Sequence, residues 1–590
     1  MPTVVPSHAR TWWKEASVYQ IYPASYQDSN GDGVGDLPGI ISRVPYIKSL
    51  GVDVIWISPF FKSPQYDLGY DISDYKDVHR PYGTVQDAER LIQTVHEHGM
   101  KIIFDLVINH TSHEHEWFKE SRSSKTNPKR DWYIWRPARY INGERHPPCN
   151  WRGAFGGSVW EWDEHTQEYY LHLFTPEQPD VNWENPTLRQ ALYEDAVKFW
   201  LDKGKMNCCD GFRIDTVNMY SKFLDFPDVP VVDPNTPWQP APQYFSNGPR
   251  LHEFLQELHR ETFSKYDCMT IGECPHTPDL DKVLEFVAAS RKELNMVIQF
   301  DLADLDHGRG RFPLFAQNWD LAQWKAISKR AQALAEPKYG AWATTYLENH
   351  DQARSVTRYA SDSAEHRVIA SKMLATYLMT VSGTPIIYQG EEIGMKNCPK
   401  EWSIEEEYKD IGTINVWNEV KEAAAKQNEP ELLELGRKGI QLTARDHART
   451  PMQWDNMPQA GFSTTGNTWM RVMDSYVDIN VASQQGDKTS TLAFYRRMTQ
   501  FRKQYKDLFV YGLFEILDEA NPSTLLYTKT STEDESKVAL VALNFTAEEQ
   551  AFEIPQEVAA LDMQLALETV RTKGALAPYE ARVYISQAAI

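Results

Sequence analysis

The stretch GKMNCCDGFRIDTVNMY, Gly204 to Tyr220, decides how the whole chain is read. Phe212, Ile214 and Val217 are apolar or β-branched, and Gly211 opens the run, so it reads as a strand, Gly211–Val217. Arg213 and Asp215 sit two residues apart within it, so alternation places both on one face. Unpaired charge in a core costs several kcal/mol. The pair is therefore either a structural ion pair or a nucleophilic carboxylate kept ionised by a guanidinium at the end of a barrel strand.

Working outward, similar short β-rich runs recur. They are Ser17–Tyr22, Val52–Ser58, Lys101–Asn109, Met269–Glu273, Met296–Asp301, Ala343–Asn349 and Pro385–Gln389. Amphipathic segments separate them, among them Val85–His98, Leu188–Lys203, Pro249–Phe263, Asp279–Arg291 and Glu365–Val381. Strands alternating with helices predict an α/β fold, a (β/α)8 TIM barrel, whose site lies at the C-terminal strand ends. Polar residues collect at those ends: Asn109-His110, Asp215, Glu273 and Asn349-His350-Asp351. The alternation breaks at Thr111–Glu184, too long for a simple loop, and again at the polar excursion Lys396–Arg449. From about Leu508 the pattern is all-β. The expected division is a barrel over 1–110 and 186–507, an inserted domain over 111–185 and an antiparallel β-sandwich over 508–590.

Composition narrows the function. A net charge of −21 disfavours nucleic acid, whose phosphates want a basic face. No run approaches 18 apolar residues, and the N-terminus lacks the pattern of a signal peptide, so neither a membrane span nor a secretory route is expected. The cysteines Cys149, Cys208, Cys209, Cys268, Cys274 and Cys398 read as free thiols, which makes the cytoplasm the expected compartment. The 19 Trp and 29 Tyr offer flat rings suited to stacking on sugar faces.

Asp215, Glu273 and Asp351 arrive at one mouth from three strands. Stability explains such a trio poorly, because like charges raise each other's pKa. Retaining glycoside hydrolysis needs two close carboxylates, one an ionised nucleophile and one a protonated acid. "DLVINH" (Asp105–His110), "GFRID" (Gly211–Asp215), "IGE" (Ile271–Glu273) and "ENHDQ" (Glu348–Gln352) resemble the four signature segments of the α-amylase superfamily. "GYDISDY", "YQGEEIG" and "ARTPMQW" extend the likeness over nearly the whole chain, and "QPDVN" (Gln178–Asn182) resembles the oligo-1,6-glucosidase and α-glucosidase branch. The overall likeness is to fungal cytosolic maltases and isomaltases.

That resemblance implies Asp215 as nucleophile, Glu273 as proton donor and then base, and Asp351 as stabiliser of the transition state. Arg213 would keep the nucleophile ionised. His110 and His350 would bond the sugar, with Tyr70 stacked under it. Asp67 and Arg445 would grip its 4-hydroxyl and close the pocket, making the enzyme exo-acting on small oligosaccharides or disaccharides. Phe155 and Phe174 would wall the aglycone side, and Ala154 stands where relatives often carry Tyr. Thr216 resembles a linkage selector, Thr accompanying α-1,4 and Val α-1,6 preference, so maltose and sucrose are expected ahead of isomaltose. A monomer is expected from family habit.

The loop Asp28-Ser-Asn30-Gly-Asp32-Gly-Val34-Gly-Asp36 places oxygens at positions 1, 3, 5, 7 and 9, as an EF-hand does, although position 12 is Gly39. It reads either as an Asx-rich turn or, by resemblance to the calcium loop of this branch, as a structural Ca2+ site with Asp28, Asn30, Asp32, the Val34 carbonyl and Asp36 as ligands. The residues "GKMNCC" are an insertion relative to the family pattern. Rival readings are a transglucosidase or sugar isomerase on the same scaffold, and a catalytically inactive sugar sensor.

Overall fold

The computed structural model describes residues 10–203, 208–308, 312, 314–572 and 574–590. Residues 204–207, most of the insertion that precedes Asp210, lie outside them. Eight parallel strands form the central sheet. They are β1 (Val18–Ile21), β2 (Val54–Ile57), β3 (Lys101–Leu106), β4 (Gly211–Ile214), β5 (Met269–Glu273), β6 (Met296–Ile298), β7 (Thr344–Thr345) and β8 (Thr384–Tyr388). Their spatial order is β6-β5-β4-β3-β2-β1-β8-β7. No backbone ladder joins β6 to β7 among the described residues. Side chains span that gap: Thr344 Oγ1 donates to Val297 O at 3.1 Å and Tyr346 Oη to Gln299 O at 2.9 Å. The fold is thus a (β/α)8 barrel, sewn shut at one seam by side chains.

Alternation along these strands sorts two cores. Val18, Val54, Trp56, Ile103, Ile271 and Ile386 fill the barrel interior. Tyr19, Ile55, Ile57, Phe104, Phe212 and Ile214 face the surrounding helices. Arg213 lies between Phe212 and Ile214, so it points inward, which the period of two requires. The register sets Arg213 beside Asp105 of β3. β4 must open on glycine: Gly211 has φ +141°, and a Cβ there would stand 1.9 Å from Met269 O. Just before it, Asp210 takes His96 Nε2 at 2.8 Å, Lys101 Nζ at 3.0 Å and the Ile102 N–H at 2.9 Å, fixing the strand's start.

The strand expected over Gly211–Val217 ends at Ile214, and the helix expected over Leu188–Lys203 changes to a π-helical turn at Tyr193–Lys198. The insertion after β3 holds a helix (Glu116–Ser123), a three-stranded antiparallel sheet and a two-stranded hairpin. Its core also takes Met219, Phe226, Val229, Ala241 and Phe245 from the β4–β5 connection, so this packing unit extends past residue 185. The excursion after β8 carries two packed helices, Ile411–Gln427 and Glu431–Thr443.

The C-terminal region is one five-stranded antiparallel sheet among the described residues, where two packed sheets were expected. Strands β9 (Leu513–Ile516), β10 (Thr524–Thr530), β11 (Val538–Asn544), β12 (Met563–Glu568) and β13 (Ala581–Ser586) run in the order β9-β10-β11-β13-β12. Helices Leu321–Ala333 and Arg367–Thr380 pack on this sheet. Val538 and Leu540 instead meet Phe552, Ile554, Val558 and Leu561, so a short connecting segment replaces the second sheet.

Candidate active site

Arg213 is 1% exposed and holds three carboxylates at once. Its Nη1 donates to Asp105 Oδ1 at 2.6 Å and Asp215 Oδ1 at 2.8 Å, and its Nη2 pairs with Glu273 Oε1. Past the end of β4 the chain turns sharply. Thr216 takes φ +38° and ψ +43°, a left-handed conformation that a β-branched residue enters only at a cost. The turn aims the Thr216 N–H at Glu273 Oε2 (3.1 Å) and its hydroxyl at Asp215 Oδ2 (3.2 Å). One guanidinium and one strained residue thereby bracket the same two carboxylates.

A second network lies beside the first. Arg445 Nη1 and Arg449 Nη2 each reach Asp351 Oδ1 at 2.9 Å. Their other nitrogens share Asp410 Oδ2, at 2.7 and 2.8 Å, and Arg445 also stands 3.5 Å from Asp67 Oδ1. Tyr70 stacks on His350 with centroids 5.3 Å apart at 7°, and its hydroxyl bonds His350 Nε2. Gln178 Nε2 bridges Asp67 Oδ2 (3.0 Å) and His110 Nε2 (3.2 Å). Phe155 and Phe174 lie 5.9 Å apart, with the Arg445 guanidinium 4.9 Å over the Phe155 ring. Every catalytic and sugar-binding residue expected from the sequence belongs to this one cluster.

Counting charge explains the protonation. Three guanidiniums (Arg213, Arg445, Arg449) face six carboxylates (Asp67, Asp105, Asp215, Glu273, Asp351, Asp410), so some must keep protons. Glu273 is pushed up to about 7, by burial first; Arg213 opposes this and Asp215 and Asp351 reinforce it. Burial also raises Asp215, against Arg213. Asp67 reaches about 7 by burial, although Arg445 and Arg449 oppose it. Asp351 moves the other way. Burial resists its ionisation, but His350, Arg445 and Arg449 hold it well below the ordinary carboxylate range. Burial lowers His350 itself to about 3, so at neutral pH the two guanidiniums carry that effect. His110 falls to about 4 for the same reason, leaving both imidazoles neutral.

The sequence reading missed Asp105, Gln178, Arg449 and Asp410 as members of this site. The first three stand inside the quoted segments DLVINH, QPDVN and ARTPMQW and were open to notice. Asp410 carries no local signal.

At the loop after β1, Asp28 Oδ1 accepts the N–H groups of Asn30 (3.0 Å) and Gly31 (2.7 Å), Asn30 Oδ1 accepts from Asp32 N, and Asp32 Oδ1 from Val34 N. These are successive Asx turns; Asp28 Oδ2 also accepts from Gly33 N (2.9 Å) and Ser463 Oγ (2.5 Å), so the lone pairs left for a hard cation lie on Asn30 and Asp32. Asp36 is committed elsewhere, bonding Ser29 and capping helix Leu37–Ser49 through Gly39 N. Among the described residues, no group of three or more His, Cys, Asp or Glu is placed to hold a metal by itself.

A barrel with paired carboxylates at its C-terminal mouth and a polar, ring-lined pocket defines a glycoside hydrolase. The chain belongs to the α-amylase family: its residues 20–512 match the α-amylase catalytic domain. Its relatives in that family include proteins named α-glucosidase and oligo-1,6-glucosidase. It is similar to an α-glucosidase of Candida albicans, 50% identical over 97% of this chain and 99% of the relative. An oligo-1,6-glucosidase of Saccharomyces cerevisiae is 45% identical over 99% of this chain and 100% of that protein. Among solved structures, an isomaltulose synthase of Erwinia rhapontici bound to sucrose aligns with a TM-score of 0.88 at 37% identity, over 98% of this chain and 99% of that one.

Proposed function

We propose that the enzyme retains anomeric configuration, releases glucose from the non-reducing end of short α-glucosides, and prefers α-1,4 over α-1,6 linkages. The observation that carries retention is Arg213 gripping Asp215 and Glu273 with one guanidinium. Two carboxylates on one such fork lie close together, as a nucleophile and acid do, leaving no room for the water an inverting pair admits. Asp215 Oδ2 attacks the anomeric carbon while Glu273 gives its proton to the leaving oxygen. Glu273, now a base, takes a proton from the water that releases glucose. Asp351, kept ionised, faces the positive charge developing on the ring. Asp67 with Arg445 closes the far end of the pocket, which supports exo action. Six free cysteines, four of them buried, support a reducing compartment, and we place the enzyme in the cytoplasm as a monomer.

Thr216 supports the linkage preference, because its hydroxyl, donated to Asp215 Oδ2 here, can still accept from an aglycone. Such a bond, worth about 1 kcal/mol net, shifts a linkage ratio several-fold. Thr216→Val should raise the isomaltose-to-maltose ratio of kcat/KM several-fold, and the first product seen by NMR should be α-glucose. A wild type that prefers isomaltose, or an unchanged ratio, removes Thr216 as selector; β-glucose as first product removes retention.

The likeness to an isomaltulose synthase favours one second reading, intramolecular transfer of the glucosyl group. Sucrose giving isomaltulose in place of glucose and fructose would establish it.

We also propose a structural Ca2+ held by Asn30, Asp32 and the Val34 carbonyl, with Asp28 and Asp36 closing the loop. The ion would neutralise the loop's carboxylates and take no part in the reaction. Chelation should lower Tm by several degrees, reversed by Ca2+ but not Mg2+, with kcat at 25 °C unchanged. A Tm indifferent to chelator refutes it.

A further inference from the structure

A cavity of about 1180 Å3 lies at the opposite end of the barrel from the carboxylates. Thr270 of β5 lines it, whereas Glu273 three residues on is in the active site, about 10 Å away at the rise of a strand. Its lining is cationic in a chain of net charge −21. Lys14, Arg260, Arg291, Lys292 and Lys338 contribute positive charge and only Glu293 a negative one. Glu293 is already spent on His252 Nδ1 (2.7 Å), Gln256 Nε2 (3.0 Å) and Arg291 Nη2 (3.1 Å). Just outside, Glu261 meets Arg260 at 2.9 Å and Glu336 meets Lys338 at 2.8 Å.

Two ammonium groups remain. Lys292 is exposed at the rim, and Lys14 is only 5% exposed. Among the described residues neither Nζ has a hydrogen-bond or ion-pair partner. Lys14 meets only rings, with Trp13 at 5.4 Å and Trp342 at 5.2 Å to the centroids. Burial lowers its pKa, which marks an ammonium short of compensation. His259, half-buried and also lowered, adds a neutral imidazole to the lining. Trp13, Phe263, Tyr266 and Tyr339 supply flat walls.

We propose that this cavity binds a phosphate-bearing small molecule, its phosphate oxygens on Lys14 and Lys292 and its remainder against the aromatic wall. Phosphate brings multiple charge and several acceptors to cations spread over four chain segments, which a single carboxylate does not. A nucleotide and a sugar phosphate share this chemistry.

The test is calorimetric titration of the full-length enzyme at low salt with pyrophosphate, ATP and glucose 6-phosphate. Pyrophosphate should bind at one site and weaken as salt rises. Lys14→Met should weaken it at least tenfold while maltose hydrolysis stays at the wild-type rate. Lys292→Glu, on the exposed rim and harmless to folding, should do the same. ATP binding more tightly than pyrophosphate names a nucleotide, and tighter glucose 6-phosphate names a sugar phosphate. No heat from pyrophosphate at millimolar concentration, or wild-type pyrophosphate affinity in either variant, overturns the proposal.

Discussion

At the scale of single residues, the chemistry rests on where one proton sits. Neighbouring carboxylates alone would raise Glu273, as the sequence suggests, but burial is the larger cause. The sign follows directly. Glu273 must be protonated to act as acid, so activity falls as pH rises through about 7, while Asp215 must be ionised, so activity also falls on the acid side. A plot of kcat/KM against pH should therefore be a narrow bell whose limbs belong to the pair jointly. Glu273→Gln should lose about 10²- to 10⁴-fold on maltose, the usual worth of a general acid. It should still form glucosyl enzyme from an aryl glucoside or glucosyl fluoride, and its alkaline limb should vanish. Equal wild-type rates on both donor types would exclude Glu273 as the acid.

At the scale of elements, β4 carries Arg213 and leads directly into Asp215, and its placement depends on Gly211. Adding a Cβ there would drive it into Met269 O and demand a φ that L side chains rarely adopt. Gly211→Ala should cost about 2–5 kcal/mol from overpacking and strain combined, read as a lowered Tm or urea midpoint. Gly466→Ala, where nothing lies within 4 Å, serves as control and should stay within about 0.5 kcal/mol of wild type. Equal effects at both positions would mean that β5 yields to the methyl group. The turn at Thr216 belongs to this scale too. β-branched residues read as strand in a sequence, but here the strand stops at Ile214 and a left-handed turn at Thr216 follows, held by contacts to two carboxylates.

At the scale of the whole molecule, the barrel and the C-terminal sheet meet across a seam that buries two cations with no carboxylate partner among the described residues. Arg502 gives its protons to the carbonyls of Met379, Val381, Gly383 and Phe509. Lys529, fully buried on β10, has Ser382 Oγ as acceptor, and burial, then Arg502, holds its pKa well below normal. Between that depressed value and the ordinary lysine pKa near 10.4, the unfolded chain binds one more proton than the folded one, so this residue makes stability rise with pH. Lys529→Met should raise Tm at pH 7, and the gain should shrink as pH approaches 10. A Tm lowered equally at both pH values would show that the amine stabilises the seam. The sequence by itself placed the strands to within a few residues, sorted their inward and outward faces, and singled out Asp215, Glu273 and Asp351 as carboxylates beyond strand ends, because periodicity and contiguous motifs are local properties of a chain. Tertiary structure alone decided that side chains close β6 to β7, that Asp410 joins Arg445 and Arg449, and that burial more than neighbouring charge sets Glu273. Those depend on distances and desolvation among residues far apart in sequence, which no local pattern encodes.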